Sequence, residues 1–140
     1  MHKKNLSESD ICDKFIRPAM EQAGWNGMDQ IYREYPLRAG RVVVRGKQAQ
    51  RDQSTVLRAD YALFFKANIP LAVVEAKDNQ HAVGAGMAQA IQYAELLGVP
   101  FSFASNGDGF VFRDATLADG VLERNLTLDE FPAPGEGWNR

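Results

Sequence analysis

A chain of 140 residues is long enough for one domain with a single buried core, and its 45% hydrophobic and 24% charged content matches ordinary globular composition. The lone cysteine, Cys12, excludes an intrachain disulfide and a cysteine-rich zinc site and fits a reducing, cytoplasmic setting; no apolar stretch nears the ~18 residues of a membrane span, and no apolar run follows Lys3-Lys4 as in a secretory signal, so no membrane partner is expected. The net charge of −2 argues against a dedicated nucleic-acid binder, yet Arg33 to Lys66 holds eight basic residues against three acids, a local excess of +5.

A first helix is predicted from Ser7 or Glu8, with Ser7 and Asp10 at capping-box spacing and Ile11, Phe15, Met20 and Ala23 as its apolar stripe. Pro18 removes a backbone donor, so a kink or a second short helix is expected there. Gly24 closes the segment, and Trp25 is expected to pack back onto it. Ile31 to Leu37 reads as a strand, and Arg41 to Val44 as its continuation or partner across Gly40. Gly46 to Ser54 is polar and reads as a loop. Within the basic window Arg33 to Lys66, Arg41, Arg45, Lys47 and Arg51 are the candidate phosphate contacts, although basic runs are more often a solvated surface.

Thr55 to Lys66 reads as a second strand, with Tyr61, Leu63 and Phe65 on one face and Asp60, Ala62 and Phe64 on the other. Ala67 to Pro70 is expected to turn the chain into Leu71 to Lys77, a nearly continuous apolar strand of the kind covered on both faces. Val83 to Leu97 has the strongest helical pattern: Met87, Ala90, Ile91, Ala94 and Leu97 form a stripe, Gly98 stands at the cap, and Pro100 follows. Phe101 to Ala104 and Phe110 to Arg113 form a hairpin across Asn106-Gly107-Asp108-Gly109. The remainder, through Pro132-Ala133-Pro134-Gly135, reads as a linker. Helix, strands, helix, strands is the order of an α/β sandwich with a mixed sheet.

Three charges stand out of place. Asp60 interrupts one apolar strand, and Glu75 and Lys77 interrupt the end of the next. A buried charge costs several kcal/mol unless it is paired or bound to a metal. Glu75 and Lys77 are two apart and share a face, and antiparallel pairing across the turn brings Asp60 beside Glu75. Two adjacent carboxylates repel, and a divalent cation relieves the repulsion; Mg²⁺ takes oxygen ligands of this kind, with the Ala76 carbonyl as a further one. Lys77 would lie near an attacking water and a phosphate. An ordinary buried ion pair remains an alternative on these residues alone. Gln89 and Tyr93, four apart on the helix that follows, share a polar edge that could meet a phosphate oxygen, the lysine or a DNA backbone.

The ordered set Asp60, Glu75-Ala76-Lys77 and Gln89-Ala90-Ile91-Gln92-Tyr93 resembles the motifs of the PD-(D/E)xK nuclease superfamily. The Gln-x-x-x-Tyr element resembles in particular the N-terminal nuclease domain of Type I restriction enzyme R subunits. The opening Ser7-Glu8-Ser9-Asp10, Phe15-Ile16-Arg17-Pro18 and Ala23-Gly24-Trp25 is similar too, as are Arg58-Ala59-Asp60-Tyr61, Ile69 through Asp78, and Ser105-Asn106-Gly107. The likeness runs from about Ser7 to Phe131. It implies a restriction-endonuclease-like α/β/α sandwich with a central mixed β-sheet, a nuclease domain over 1–131, and a linker over 132–140 towards motor domains.

It also implies Asp60 and Glu75 as metal-binding acids, Lys77 as the catalytic lysine, and Gln89 and Tyr93 as the additional family motif. Glu8 resembles a metal-assisting acid of some superfamily members, and equally a capping residue. The expected activity is Mg²⁺-dependent hydrolysis of double-stranded DNA. ATP would serve only the motor, and modification and specificity subunits would be the partners. Ala59 replaces the proline that names the superfamily, a frequent departure. No Gly-x-x-x-x-Gly-Lys-Ser/Thr phosphate loop occurs in these residues. A stand-alone repair or junction-resolving nuclease, and a catalytically silent DNA-binding or docking module, are the rival readings.

Overall fold

The structure is a computed structural model that describes residues 6–37, 57–66, 69–116 and 122–134. Ser7 and Asp10 form the expected capping box, each side chain bonding the other's backbone N–H, and start α1 (Glu8–Ile11). The chain then passes through a π-helical turn, Cys12–Ile16, into α2 (Arg17–Gln22), with Pro18 in its first turn. A second short helix thus begins beside Pro18, as expected. Pro18 lacks an N–H, and the preceding turn widens into the π geometry. Trp25 folds back as expected, its N–H reaching the Met20 carbonyl at 3.1 Å.

Six strands follow: β1 (Ile31–Leu37), β2 (Leu57–Lys66), β3 (Ile69–Ala76), β4 (Phe101–Ser105), β5 (Phe110–Asp114) and β6 (Leu122–Leu126). They lie in sequence order in one sheet, and every neighbouring pair is antiparallel except β3 and β4. A parallel neighbour requires a crossover, which α3 (Met87–Leu97) supplies. Arg41, Arg45, Lys47 and Arg51 lie outside the described residues, as does the expected strand over Arg41 to Val44.

Two cores flank the sheet. On one face α1 and α2 pack Ile11, Ile16 and Met20 against Tyr61, Leu63, Val74, Phe103 and Phe110; on the other, Met87, Ala90, Tyr93 and Ala94 of α3 cover Val73 and Ala104. This is the α/β/α layering the sequence predicts. Among the described residues no helix is long and apolar enough to cross a membrane.

Three boundaries differ from expectation. The helix starts at Met87 rather than Val83, because Gly84 and Gly86 sit in a turn closed by Met87 N–H on the Gly84 carbonyl (3.0 Å). Strand β3 starts at Ile69, and Pro70 is tolerated near its beginning, opposite a register irregularity at Phe64. The stretch read as a linker contains β6, a 3₁₀ turn (Leu128–Glu130), and Phe131, which is buried among Phe103 and Phe110.

Strands β1 and β2 reverse their faces midway. Ile31 and Tyr61 belong to the core under α1 and α2, whereas Tyr35, Leu37, Leu57 and Ala59 pack on the α3 side. Residues an even number apart ordinarily share a face. The reversal falls at Glu34 and Asp60, which the register sets opposite each other between the pairs Arg33–Tyr61 and Tyr35–Ala59. Glu34 is the only non-glycine with positive φ (53°) among the described residues. The expected face for Phe65 also fails: it is exposed at the hairpin end.

Candidate active site

The regular pairing of β2 with β3 stops at Tyr61–Val74, and side chains take over the next backbone donors. Asp60 N–H donates to Glu75 Oε2 at 2.8 Å, and Ala76 N–H donates to Asp60 Oδ2 at 2.8 Å. Each carboxylate thus holds the backbone of the other's strand. Glu75 is 3% exposed, while Asp60 is half-buried. Burial first, and the Asp60 charge second, push the Glu75 carboxyl up to about 9, against the opposing pull of the Asp60 N–H. The proton that burial and Asp60 hold on Glu75 relieves the repulsion between the two acids.

Lys77 leaves the end of β3 with its N–H on the Ser105 carbonyl (2.9 Å), and its side chain has no hydrogen-bond or ion-pair partner among the described residues. A Cβ built on Gly86 would lie 3.5 Å from Lys77 Cγ and 3.6 Å from Glu75 Cβ. The two side chains therefore share the α3 face of the sheet, as their spacing predicts. The buried ion pair left open by the sequence is not what forms: the acid pairs with an acid and backbone amides.

Tyr93, on α3, is 6% exposed, and its hydroxyl accepts Gln89 Nε2–H at 2.9 Å. Burial first, then the Glu75 charge, raises the Tyr93 phenol above its ordinary range, so α3 does face the acidic pair. Gln89 is exposed and available to a ligand, whereas Tyr93 belongs to the core. Glu8 is exposed in the first turn of α1, where Ser7 and Asp10 already form the cap. Its charge contributes to the field at Glu75, but among the described residues no three of His, Cys, Asp and Glu converge as a ready cation cage.

The donor set is still suited to a hard divalent cation. Asp60 Oδ2 and Glu75 Oε2 are occupied by amides, each carboxylate has a second oxygen, and the raised Glu75 pKa marks a charge that a cation would stabilise.

Sequence reading gave no role to the support beneath this centre. The turn after β4 carries Ser105, whose hydroxyl bonds the Gly109 carbonyl (2.7 Å) and accepts from Gly107 N–H (3.0 Å). Asn106 Nδ2 donates to the His81 carbonyl at 2.6 Å, and Asn79 Oδ1 accepts Leu6 N–H at 3.1 Å. These polar residues come from three separate segments, so only the run Ser105-Asn106-Gly107 hints at them in sequence.

The chain matches the family described as Type I restriction enzyme R protein N terminus over residues 44–120. It is 54% identical to the Type I restriction enzyme EcoAI endonuclease subunit of Escherichia coli, an alignment that takes in the whole chain and 17% of that protein. A solved fragment described as an HsdR subunit of a type I restriction enzyme from Vibrio vulnificus YJ016 superposes with a TM-score of 0.75 at 34% identity, over 96% of this chain and 25% of that one. The chain thus spans about a sixth of the curated relative's length. With its mixed sheet, two helical layers and paired acids, it belongs to the family of Type I restriction enzyme R protein N-terminal domains.

Proposed function

We propose that this domain is a Mg²⁺-dependent endonuclease module that hydrolyses phosphodiester bonds of double-stranded DNA. The observation that carries the reading is the reciprocal grip of Asp60 and Glu75 at the ends of β2 and β3, with Lys77 on the same face. Asp60 and Glu75, with the Ala76 carbonyl, are the residues that would hold the metal, with Glu8, whose charge acts on Glu75, as an acid to assist from α1. Magnesium, when bound there, supplies Lewis-acid polarisation of the phosphate. Lys77 orients the attacking water and offsets negative charge gathering on the phosphoryl oxygens. One P–O bond forms from water and one ester P–O bond breaks, leaving a phosphomonoester and a hydroxyl. Gln89 meets a phosphate oxygen from the exposed edge of α3. Tyr93 acts by holding Gln89, since its own ring is packed in the core.

In the longer protein that such an N-terminal domain implies, ATP-driven motor domains would follow a linker beyond Pro132. Modification and specificity subunits would supply sequence recognition, and the complex would work on chromosomal or invading DNA in the cytoplasm. Arg41, Arg45, Lys47 and Arg51 remain the proposed electrostatic contacts to DNA.

The deciding experiment is Mg²⁺-dependent nicking of supercoiled plasmid by this chain and by the assembled complex, each beside Lys77→Ala. Among the described residues Lys77 makes no polar side-chain contact, so the variant should melt within about 0.5 kcal/mol of the parent. Nicking should fall by roughly 100-fold or more, the scale of losing one charge-stabilising group. Undiminished nicking by Lys77→Ala would remove the lysine from the proposed centre.

A further inference from the structure

A large apolar side chain in solvent is ordinary when it stands alone and informative when several stand together. Among the described residues the exposed ones are Met28, Tyr32, Phe65, Ile69 and Leu96. All of them lie at one end of the sheet. Tyr32 stands at the start of β1, Phe65 at the end of β2, and Ile69 opens β3. Met28 is carried on the turn before β1. That turn is tied to the same end by Phe64 N–H on the Gln30 carbonyl (2.9 Å) and Gln30 Nε2–H on the Phe65 carbonyl (2.8 Å). Leu96 is in the last turn of α3, which leads through Pro100 to the start of β4, where Phe101 pairs with Ala72 of β3. The acidic centre is elsewhere: Glu75 and Ala76 close the opposite end of β3, roughly 20 Å along the strand from Ile69.

We propose that this apolar end of the sheet is a docking surface for the domain that follows this one in the longer protein. The inference rests on that longer protein, proposed above, and not on the metal chemistry.

Three observations carry it. The first is the path of the chain. The Pro132 carbonyl accepts Trp25 Nε1–H at 2.8 Å, and Pro134 Cδ lies 3.5 Å from the place of a Cβ on Gly24. The last described residues therefore run against Gly24 and Trp25, beside the turn that carries Met28. The second is length. The Escherichia coli relative aligns with the whole of this chain, which covers 17% of it. A domain tethered at this exit meets the surface at an effective concentration on the order of millimolar, so an apolar contact of modest size stays closed. The third is readiness. The Tyr32 ring is held against Phe64 and Tyr35 at centroid distances of 4.9 and 5.9 Å, and Asn26 Oδ1 accepts Met28 N–H at 2.6 Å. These anchors are ordered before any contact, so docking immobilises little. Lys66 Nζ, 5.8 Å from the Phe65 ring centroid, and the exposed Asp29 and Glu95 supply the polar rim that surrounds an interface core. A domain docked here leaves Glu75 and Lys77, at the far end, open to DNA.

The test is hydroxyl-radical footprinting read by mass spectrometry, comparing this chain with the longer protein. Thioether and aromatic side chains label readily, and Met28 is 85% exposed. In the longer protein the labelling of Met28, Tyr32 and Phe65 should fall by about fivefold or more, because the core of an interface excludes water. Met28→Lys combined with Ile69→Lys places two charges on the surface. In the longer protein this double variant should return Tyr32 and Phe65 to the labelling of this chain, and this chain carrying the same changes should melt like the parent. Equal labelling of the parent in both lengths overturns the docking. So does protection in this chain alone that rises with its concentration and is lost in the double variant, which would make the surface a contact between copies.

A reading frame that stops at Arg140 would sink the longer protein and the docking together. Footprinting reads no cleavage, so an absence of Mg²⁺-dependent nicking leaves the docking standing, and unchanged labelling leaves the nuclease reading standing.

Discussion

At the scale of single residues, the defining feature is a carboxyl group held where its charge is unwelcome. Glu75 has its proton bound more tightly in the fold than in an open chain, with a pKa near 9 against the ordinary 4.5. The sign of the consequence follows from linkage. Between about pH 4.5 and 9 the unfolded chain releases this proton and the folded chain retains it, so the metal-free domain loses stability as pH rises through that window. Glu75→Gln has no such proton to lose. Its melting temperature should exceed the parent's in chelator, by on the order of 5 °C near pH 8, and converge with it near pH 4.5. Magnesium should raise the parent's melting temperature and leave the variant's unmoved. A parent that gains stability between pH 5 and 9 in chelator would contradict the assignment. The Cys12 thiol, at the start of the π-helical turn, is pushed up to about 12 by burial and is a packing group rather than a reactive one.

At the scale of elements, α3 is both a wall of the core and a rim of the site. The Gln89–Tyr93 spacing is legible in sequence, but their division of labour is not, because helical periodicity shows which residues share a face and not how deep that face lies. Tyr93→Ala is therefore a poor probe of chemistry: it should cost roughly 3–5 kcal/mol in urea denaturation by emptying a core position. Tyr93→Phe keeps the ring and removes only the bond to Gln89, so it should cost about 1 kcal/mol or less. If nicking by Tyr93→Phe equals the parent's, the hydroxyl has no positioning role. The β4–β5 turn is similarly constrained. A side chain on Gly107 would meet Ile11 Cδ1 at 2.9 Å and must also adopt φ +96°. Gly107→Ala should destabilise by about 1–3 kcal/mol; a neutral result would show that α1 yields at that contact.

At the scale of the whole molecule, the sheet is closed by a segment that reads as a linker. Strand β6 is largely exposed and polar, with Glu123, Arg124 and Asn125 between two leucines, so it lacks the apolar alternation that marks a strand. Its partner β5 supplies the pairing that its own composition does not announce. Beyond it Phe131 stacks into Phe103 and Phe110 at ring-centroid distances of 4.5 and 4.8 Å, and Trp25 Nε1–H binds the Pro132 carbonyl at 2.8 Å. Phe131→Ala should cost roughly 3–5 kcal/mol by thermal or urea unfolding. A loss below about 1 kcal/mol would mean the domain ends before this residue. The domain thus uses the chain at least through Pro132.

Local pattern by itself determined the layering, five of the six strands, the crossover helix, the capping box and the residues of the acidic centre. Each is written in alternation, helical spacing or a charge placed among apolar neighbours. Tertiary structure alone decided how those charges are met. The sequence allows Asp60 and Glu75 to be a metal pair or half of an ion pair, and only the end of the β2–β3 ladder shows each carboxylate gripping the other strand's amide. It alone reversed the faces of β1 and β2 around Glu34 and Asp60, buried Tyr93, and brought Asn106 under His81. These are contacts between residues far apart in the chain, and local pattern carries no record of which distant amide a side chain will find. Asp60, Glu75 and Lys77 were legible as a group; the Ser105–Asn106 turn that accepts the Lys77 N–H and donates to the His81 carbonyl was not.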